Sequence, residues 1–379
     1  MKMFKRIAAV VMATAMVAAC FAGCGSNEAS DKFIIGATGP LTGDASSYGI
    51  SVQRGAQVAI DEINAAGGLN GYKFEFMMKD DKAAPEDAAT AYDQLMDAGM
   101  QISIGSVTSG ACESFAAKSV EDNLFFITPS ASRADIIADR DNGFRICFGD
   151  PDQGYLAAET IVNDYKYTKI GCIYDTSDTY SSGIYEAFSE KMKELKVEFT
   201  TKTFDQETNK DFSTQVEALK DCEVIFLPIY YTEAGLIARA CTAKGSNAMI
   251  LGCDGLDGVV DQIDETVTTK IKYITPFDVN STDKVVSDFV KKYKEKYDAA
   301  PDQFAADGYD AIYAIYNAMK AAIDNGTELN PETSVSDMCD AVREVMISKS
   351  FKFTGATGTM TWDAKGAPTK VPTIVDVNA

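Results

Sequence analysis

From Lys32 to Pro276 the chain alternates short runs of β-branched and aromatic residues with longer stretches whose apolar residues return every three or four positions. A short apolar run marks a strand buried on both faces, and a 3.6-residue period marks a helix with one apolar stripe. Strand and helix in steady succession point to parallel βαβ units, an α/β fold with helices on both faces of each sheet. The first strand is Phe33-Ile34-Ile35-Gly36; the helix after it spans 51–66, where Val52, Ala56, Ala59, Ile60 and Ile63 share one face and Gly67-Gly68 stop it. Further strands are predicted at 73–78, 101–105, 124–128, 169–174, 197–201, 223–227, 248–252 and 271–275. In such sheets ligands settle beyond the carboxyl ends of the strands, so the loops that follow the strands carry the functional expectation.

The alternation falls into two blocks, one ending near Phe148 and one running from about Asp150 to Pro276, with joints at Gly149-Asp150-Pro151 and Thr275-Pro276-Phe277. Three long helical patterns follow, at 283–297, 302–325 and 331–347, and then a strand-like run at 358–362. Helices alone would leave their apolar stripes uncovered, so these segments must return to the earlier cores. With 46% apolar residues the chain can bury a core for two ordinary domains.

Ahead of the alternation lies a leader with Lys2, Lys5 and Arg6, an apolar stretch at 7–19, and small residues Ala22 and Gly23 before Cys24. This is the layout of a secretory signal peptide, too short to span a membrane, which takes roughly 20 apolar residues. Small residues before a cysteine resemble the lipobox of bacterial lipoproteins, in which the cysteine receives diacylglycerol and becomes the first residue. Val17-Ala18-Ala19-Cys20 is a second fit, but the small, polar run from Gly25 to Ser30 makes a tether and favours Cys24. Loss of the leader would move the formal charge from -21 to -24. So acidic a chain lacks the basic footprint of a nucleic-acid binder.

The sequence contains no histidine, the commonest general base and metal ligand. It has no glycine-rich phosphate loop ending in Lys-Ser or Lys-Thr and no Gly-x-Ser-x-Gly elbow, so an enzyme is the weaker reading. Neither cofactor nor metal is expected: Asp139-Arg140-Asp141-Asn142-Gly143 has its glycine one place early for a calcium loop and lacks the downstream glutamate, and reads as a turn. Cys112, Cys147, Cys172, Cys222, Cys241, Cys253 and Cys339 are widely spaced, form no CxxC pair and are odd in number. Several sit in apolar runs, where a thiol acts as a small apolar side chain.

Several loops after strands could hold a ligand. Gly105-Ser106-Val107-Thr108-Ser109-Gly110 and Thr128-Pro129-Ser130-Ala131-Ser132 combine hydroxyls with free amides at a helix start, a fit for a carboxylate. Each alone reads more readily as a helix cap than as a ligand site, and two adjacent loops of the same character strengthen the ligand reading. Asp175 to Tyr180, Ile229-Tyr230-Tyr231-Thr232 and Cys253-Asp254-Gly255 offer aromatic faces and a carboxylate for an ammonium. Here too Asp254 could simply cap a helix beginning near Asp257.

Gly39-Pro40-Leu41-Thr42-Gly43 with Tyr48-Gly49, then Gly55-Ala56 through Ile63-Asn64-Ala65-Ala66-Gly67-Gly68-Leu69-Asn70-Gly71, resembles the amino terminus of the leucine/isoleucine/valine-binding protein family, the substrate-binding proteins of branched-chain amino-acid ABC transporters. The likeness runs from Phe33 to about Val375 and includes the loops above and the closing 358–363. It implies a type I periplasmic-binding-protein fold: two doubly wound parallel-sheet lobes joined by a three-crossover hinge. The implied organisation is a signal peptide at 1–23, a lipidated tether at 24–31, a first lobe from 32–148 plus 278–352, and a second from 149–277 plus 353–379. By motif position Ser109 binds an amino-acid carboxylate, Ser132 offers its amide to the carboxylate and its hydroxyl to the ammonium, and Ser130 offers its carbonyl. Asp254 is the counter-ion of the ammonium, Tyr180 and Tyr231 close over the ligand, and Tyr48, Ser106, Tyr230 and Phe277 line the side-chain pocket. Ser132 stands where the family often has threonine, and Asp254 where glutamate is familiar. The expected protein is exported, anchored by Cys24 on the outer face of the cell membrane, and delivers an amino acid to an ABC permease. The same fold also suits a lipoprotein that senses an amide, urea or aromatic acid.

Overall fold

The computed structural model describes residues 32–377, so the leader, Cys24 and the tether lie outside the described residues. The first block folds as β1 (Lys32–Gly39), α1 (Ser46–Ala65), β2 (Lys73–Asp80), α2 (Pro85–Asp97), β3 (Ile102–Ser103), α3 (Ser109–Glu121), β4 (Phe126–Thr128), α4 (Asp135–Ala138) and β5 (Gly143–Arg145). Its strands form a parallel sheet in the order β2-β1-β3-β4-β5. The second block begins with α5 (Asp150–Glu159), which continues as a π-turn at Thr160–Asp164. It continues through β6 (Ile170–Asp175), α6 (Thr179–Leu195), β7 (Thr200–Phe204), α7 (Ser213–Leu219), β8 (Val224–Leu227), α8 (Tyr231–Ala243), β9 (Met249–Gly252) and β10 (Ile271–Thr275). These strands form a second parallel sheet, extended by one late antiparallel strand.

After β10 the chain crosses back. α9 (Lys284–Tyr297), α10 (Gln303–Asp324) and α11 (Val335–Met346) return to the first sheet, where α10 packs along α1. Two glycines allow that approach: a Cβ on Gly55 would lie 1.8 Å from the Ala305 carbonyl oxygen, and one on Gly308 would lie 2.5 Å from that of Val52. The hairpin β11 (Phe353–Gly355) and β12 (Gly358–Met360) follows. It is held to α10 by the buried Asp310 carboxylate, which accepts from the amides of Ala356 (2.7 Å) and Thr357 (2.8 Å) and from the Thr357 hydroxyl (2.5 Å). The Trp362 indole then donates to the Arg145 carbonyl at 2.8 Å. The chain therefore joins the second sheet at β13 (Thr373–Asp376), antiparallel to β10, rather than at 353. Just before it, Lys370 is buried in an ion pair with Asp307 of α10 (2.8 Å) and donates to the Ile146 carbonyl (3.0 Å).

The chain thus passes three times between the sheets, after β5, after β10 and before β13, and each sheet has apolar clusters on both faces. This is the doubly wound, two-lobed α/β architecture the alternation calls for. The seven cysteines from Cys112 onward are free thiols, six of them buried. Among the described residues no helix is long and apolar enough to cross a membrane.

Candidate functional site

The carboxyl ends of β3 and β4 on one sheet face those of β6, β8 and β9 on the other, and their loops enclose a small space lined by Tyr48, Val107, Thr108, Ser109, Ser130, Tyr180, Tyr230, Asp254, Gly255 and Phe304. Six of the ten expected ligand residues, Tyr48, Ser109, Ser130, Tyr180, Tyr230 and Asp254, meet there. Ser109 is the first residue of α3, and neither it nor Thr108 caps the helix with its side chain. Ser109 Oγ accepts only a long bond, 3.4 Å, from the Arg133 amide, while Ser130 Oγ donates to the Val107 carbonyl at 2.6 Å and ties the two loops together. A helix start with exposed amides and a hydroxyl on one wall is a place for an anion.

Asp254 forms the opposite wall, and it is not a helix cap. Its Oδ1 accepts from the Tyr180 hydroxyl (2.7 Å) and from the Gln153 side chain (3.1 Å), and the Tyr180 oxygen in turn accepts from the Gly255 amide (2.9 Å). Only 4% exposed, its carboxyl is lifted from 3.8 to about 6 by burial, against which the two donors act. Above it the Tyr180 and Tyr230 rings stack at 5.0 Å, and Tyr48 packs between Tyr230 (5.4 Å) and Phe304 (4.4 Å). The enclosed volume is about 20 Å³, room for about one water. Short hydrogen bonds join the two lobes around it, among them Tyr48 hydroxyl to Gly255 carbonyl, Tyr231 hydroxyl to Asp44 carbonyl, and Gln303 side chain to Asp254 carbonyl, each 2.6 Å.

The other expectations land elsewhere. Phe277 does not line this space: its amide turns onto the Thr275 hydroxyl (3.2 Å), its ring packs against Phe289 (6.2 Å), and it borders a separate depression with Leu256 and Tyr273. Phe304, at the start of the returning α10, occupies the place expected of it. Ser106 points away, donating to Asp81 at 2.7 Å. Tyr231 stands behind the wall, edge-on to Tyr48 at 4.9 Å. Ser132 lies one layer deeper, its carbonyl accepting from Arg145 and from the Asp150 amide (2.9 Å), its hydroxyl without a hydrogen-bond partner. Beside it burial lifts Asp150 to about 7, opposed by the charge of the Arg145 guanidinium. Thr108 belongs to the hydroxylic loop that the sequence already marks, whereas Gln153 and Gln303 carry no signal in the sequence that separates them from ordinary polar helix residues.

The sequence profile of the family described as periplasmic binding protein matches residues 33–375. A Leu/Ile/Val-binding protein homolog of Brucella melitensis is 32% identical over 227 residues, 59% of this chain and 61% of that protein. The Leu/Ile/Val-binding protein BraC3 of Rhizobium johnstonii is 27% identical over 342 residues, 86% of this chain and 88% of its own. Among solved structures, the branched-chain amino-acid transporter substrate-binding protein of Streptococcus pneumoniae in complex with isoleucine aligns with a TM-score of 0.79 at 28% identity, covering 91% of this chain and 95% of that one. The profile match runs along nearly the whole described chain, and the protein belongs to the periplasmic binding protein family.

Proposed function

We propose that the protein captures an α-amino acid between its two lobes and delivers it to an ABC permease, held at the outer face of the cell membrane by a diacylglycerol group on Cys24. The observation that carries this reading is the pairing of opposite chemistries across one enclosed space: helix-start amides and Ser109 on the first lobe, the buried Asp254 carboxylate on the second. The first suits the ligand carboxylate and the second its ammonium, while Tyr48, Tyr230 and Phe304 supply apolar cover. Ser130 faces the same space, Tyr180 orients Asp254, and Ser132 and Tyr231 act from behind it. The relatives make branched-chain side chains the default. A space of about 20 Å³ holds no amino acid, so entry requires the lobes to part along the three crossings and close again on the ligand. Two acyl chains suffice for stable anchoring where one does not, which suits a trap that must stay beside its permease.

A thermal-shift screen of the twenty amino acids should find at least one that stabilises the protein. A hydrogen bond to a charged group contributes about 1.5–3 kcal/mol, and about 1.4 kcal/mol is tenfold in affinity. Ser109→Ala and Asp254→Asn should therefore each weaken calorimetric binding of that amino acid at least tenfold. Unchanged affinity in both variants would overturn the site, and stabilisation by none of the twenty would overturn the ligand class.

A further inference from the structure

Outward from the space between Ser109 and Asp254 the cleft widens into a second chamber of about 400 Å³, and Thr108 and Tyr230 form walls of both. Four carboxylates line the outer chamber: Asp44 after β1, Asp175 at the end of β6, Asp178 in the loop after it, and Glu233 in the first turn of α8. Two lysines also reach it, both largely exposed: Lys210 lies 3.7 Å from Asp44, and Lys82 lies 3.4 Å from Asp87. The other three acids receive only neutral donors at hydrogen-bond distance. Asp175 Oδ1 accepts from the Ser177 amide (2.8 Å) and hydroxyl (2.6 Å), Asp178 Oδ2 from the Ser181 amide (2.8 Å), and Glu233 Oε1 from the Asn209 side chain (3.0 Å). Burial lifts Asp178 to about 6, with Asp175 and Glu233 adding to the shift and Arg133 opposing it. Glu233 is raised as well, by burial and by Asp44, with Lys210 opposing. Like charges gathered this way are relieved by a cation placed among them.

An acidic lining is common on a chain of net charge -21, and it would carry little alone. Thr108 is the independent observation. It is 5% exposed, it borders both chambers, and its hydroxyl has no hydrogen-bond partner. Buried polar groups in native proteins are nearly always paired. A ligand running from the inner chamber to the outer one passes this hydroxyl, and a polar group on the ligand can pair with it.

We propose that the cleft takes α-amino acids whose side chain ends in a protonated amine or guanidinium, with the main-chain groups at Ser109 and Asp254 and the side-chain cation among Asp175, Asp178 and Glu233. The proposal rests on the amino-acid reading above and moves its ligand class from the branched-chain default to cationic side chains. Calorimetry on the mature chain with L-lysine, L-arginine, L-norleucine, L-leucine and L-glutamate tests it, since norleucine has lysine's carbon chain without the ammonium. Lysine or arginine should bind at least tenfold more tightly than norleucine, with glutamate weakest. Glu233→Gln and Asp178→Asn should each lower the lysine-to-norleucine affinity ratio at least fivefold. Norleucine, leucine or glutamate binding as tightly as lysine overturns this proposal and leaves the amino-acid reading standing; binding by none of the five also overturns this proposal, and the amino-acid reading falls only if the screen of all twenty is negative as well.

Discussion

At Asp254 the physics of a single residue sets a pH dependence. Its carboxyl is lifted from 3.8 to about 6, chiefly by burial. The unfolded chain ionises first, so this residue's contribution to stability is greatest in acid and is lost as pH rises from about 4 to about 6, by about 3 kcal/mol. On the proposed amino-acid reading, ligand binding would run the other way, because an ammonium would pair with the ionised form. A carboxyl of pKa about 6 is about one-tenth ionised at pH 5, so affinity should fall about tenfold between pH 7.5 and pH 5. Titration calorimetry at a series of pH values checks this, and Asp254→Asn should flatten the profile. The site was partly legible in the sequence: Ser109 and Asp254 stand in loops that follow strands, where ligands bind. Phe277 also follows a strand, yet a turn onto Thr275 sends its ring to Phe289. Phe304 sits in the first turn of a helix that crosses back from the other lobe, and no local pattern marks that return.

At the scale of elements, the long strands and helices follow the hydrophobic period closely, and the misses are where tertiary pairing decides. The strand expected at 197–201 is shifted to Thr200–Phe204. Its parallel pairing runs from Gly171 opposite Thr200 to Asp175 opposite Phe204, while Phe199 is spent on packing against Phe188 at 5.1 Å. β5, β11 and β13 are only three or four residues long and too short to show a period. The contact of α1 with α10 was likewise hidden, although Gly55 and Gly308, which permit it, are plain in the sequence. Gly55→Ala would drive a methyl to 1.8 Å from the Ala305 carbonyl oxygen, a backbone atom that cannot step aside without moving the helix. Overpacking of a tight core costs about 1–3 kcal/mol and sometimes more. Urea unfolding of Gly55→Ala should show at least that loss, whereas Gly326→Ala, with nothing within 4 Å, loses stability only through its backbone angle of +99°.

For the whole molecule the question is what holds the lobes together over so small a space. Tyr48 is central, because its hydroxyl donates to the Gly255 carbonyl at 2.6 Å and accepts from the Tyr231 amide at 3.2 Å. Both partners belong to the second lobe, while Tyr48 lies on α1 of the first. A net contribution of about 0.5–1.5 kcal/mol per hydrogen bond makes the pair equivalent to roughly a 5- to 150-fold bias toward the closed form. Tyr48→Phe keeps the ring packed against Phe304 and Tyr230 and removes only that bias. The crossings themselves are braced elsewhere: Lys370 and Asp307, both 3% exposed, pair at 2.8 Å next to the last of them. Such a brace fixes where the lobes are joined, and the closing energy stays with contacts across the cleft. Small-angle scattering of the ligand-free Tyr48→Phe protein should give a larger radius of gyration than wild type, and saturating ligand should bring the two curves together. Identical ligand-free curves would mean that the hydroxyl does not govern closure, and that the lobes are held by the Tyr231 and Gln303 contacts instead.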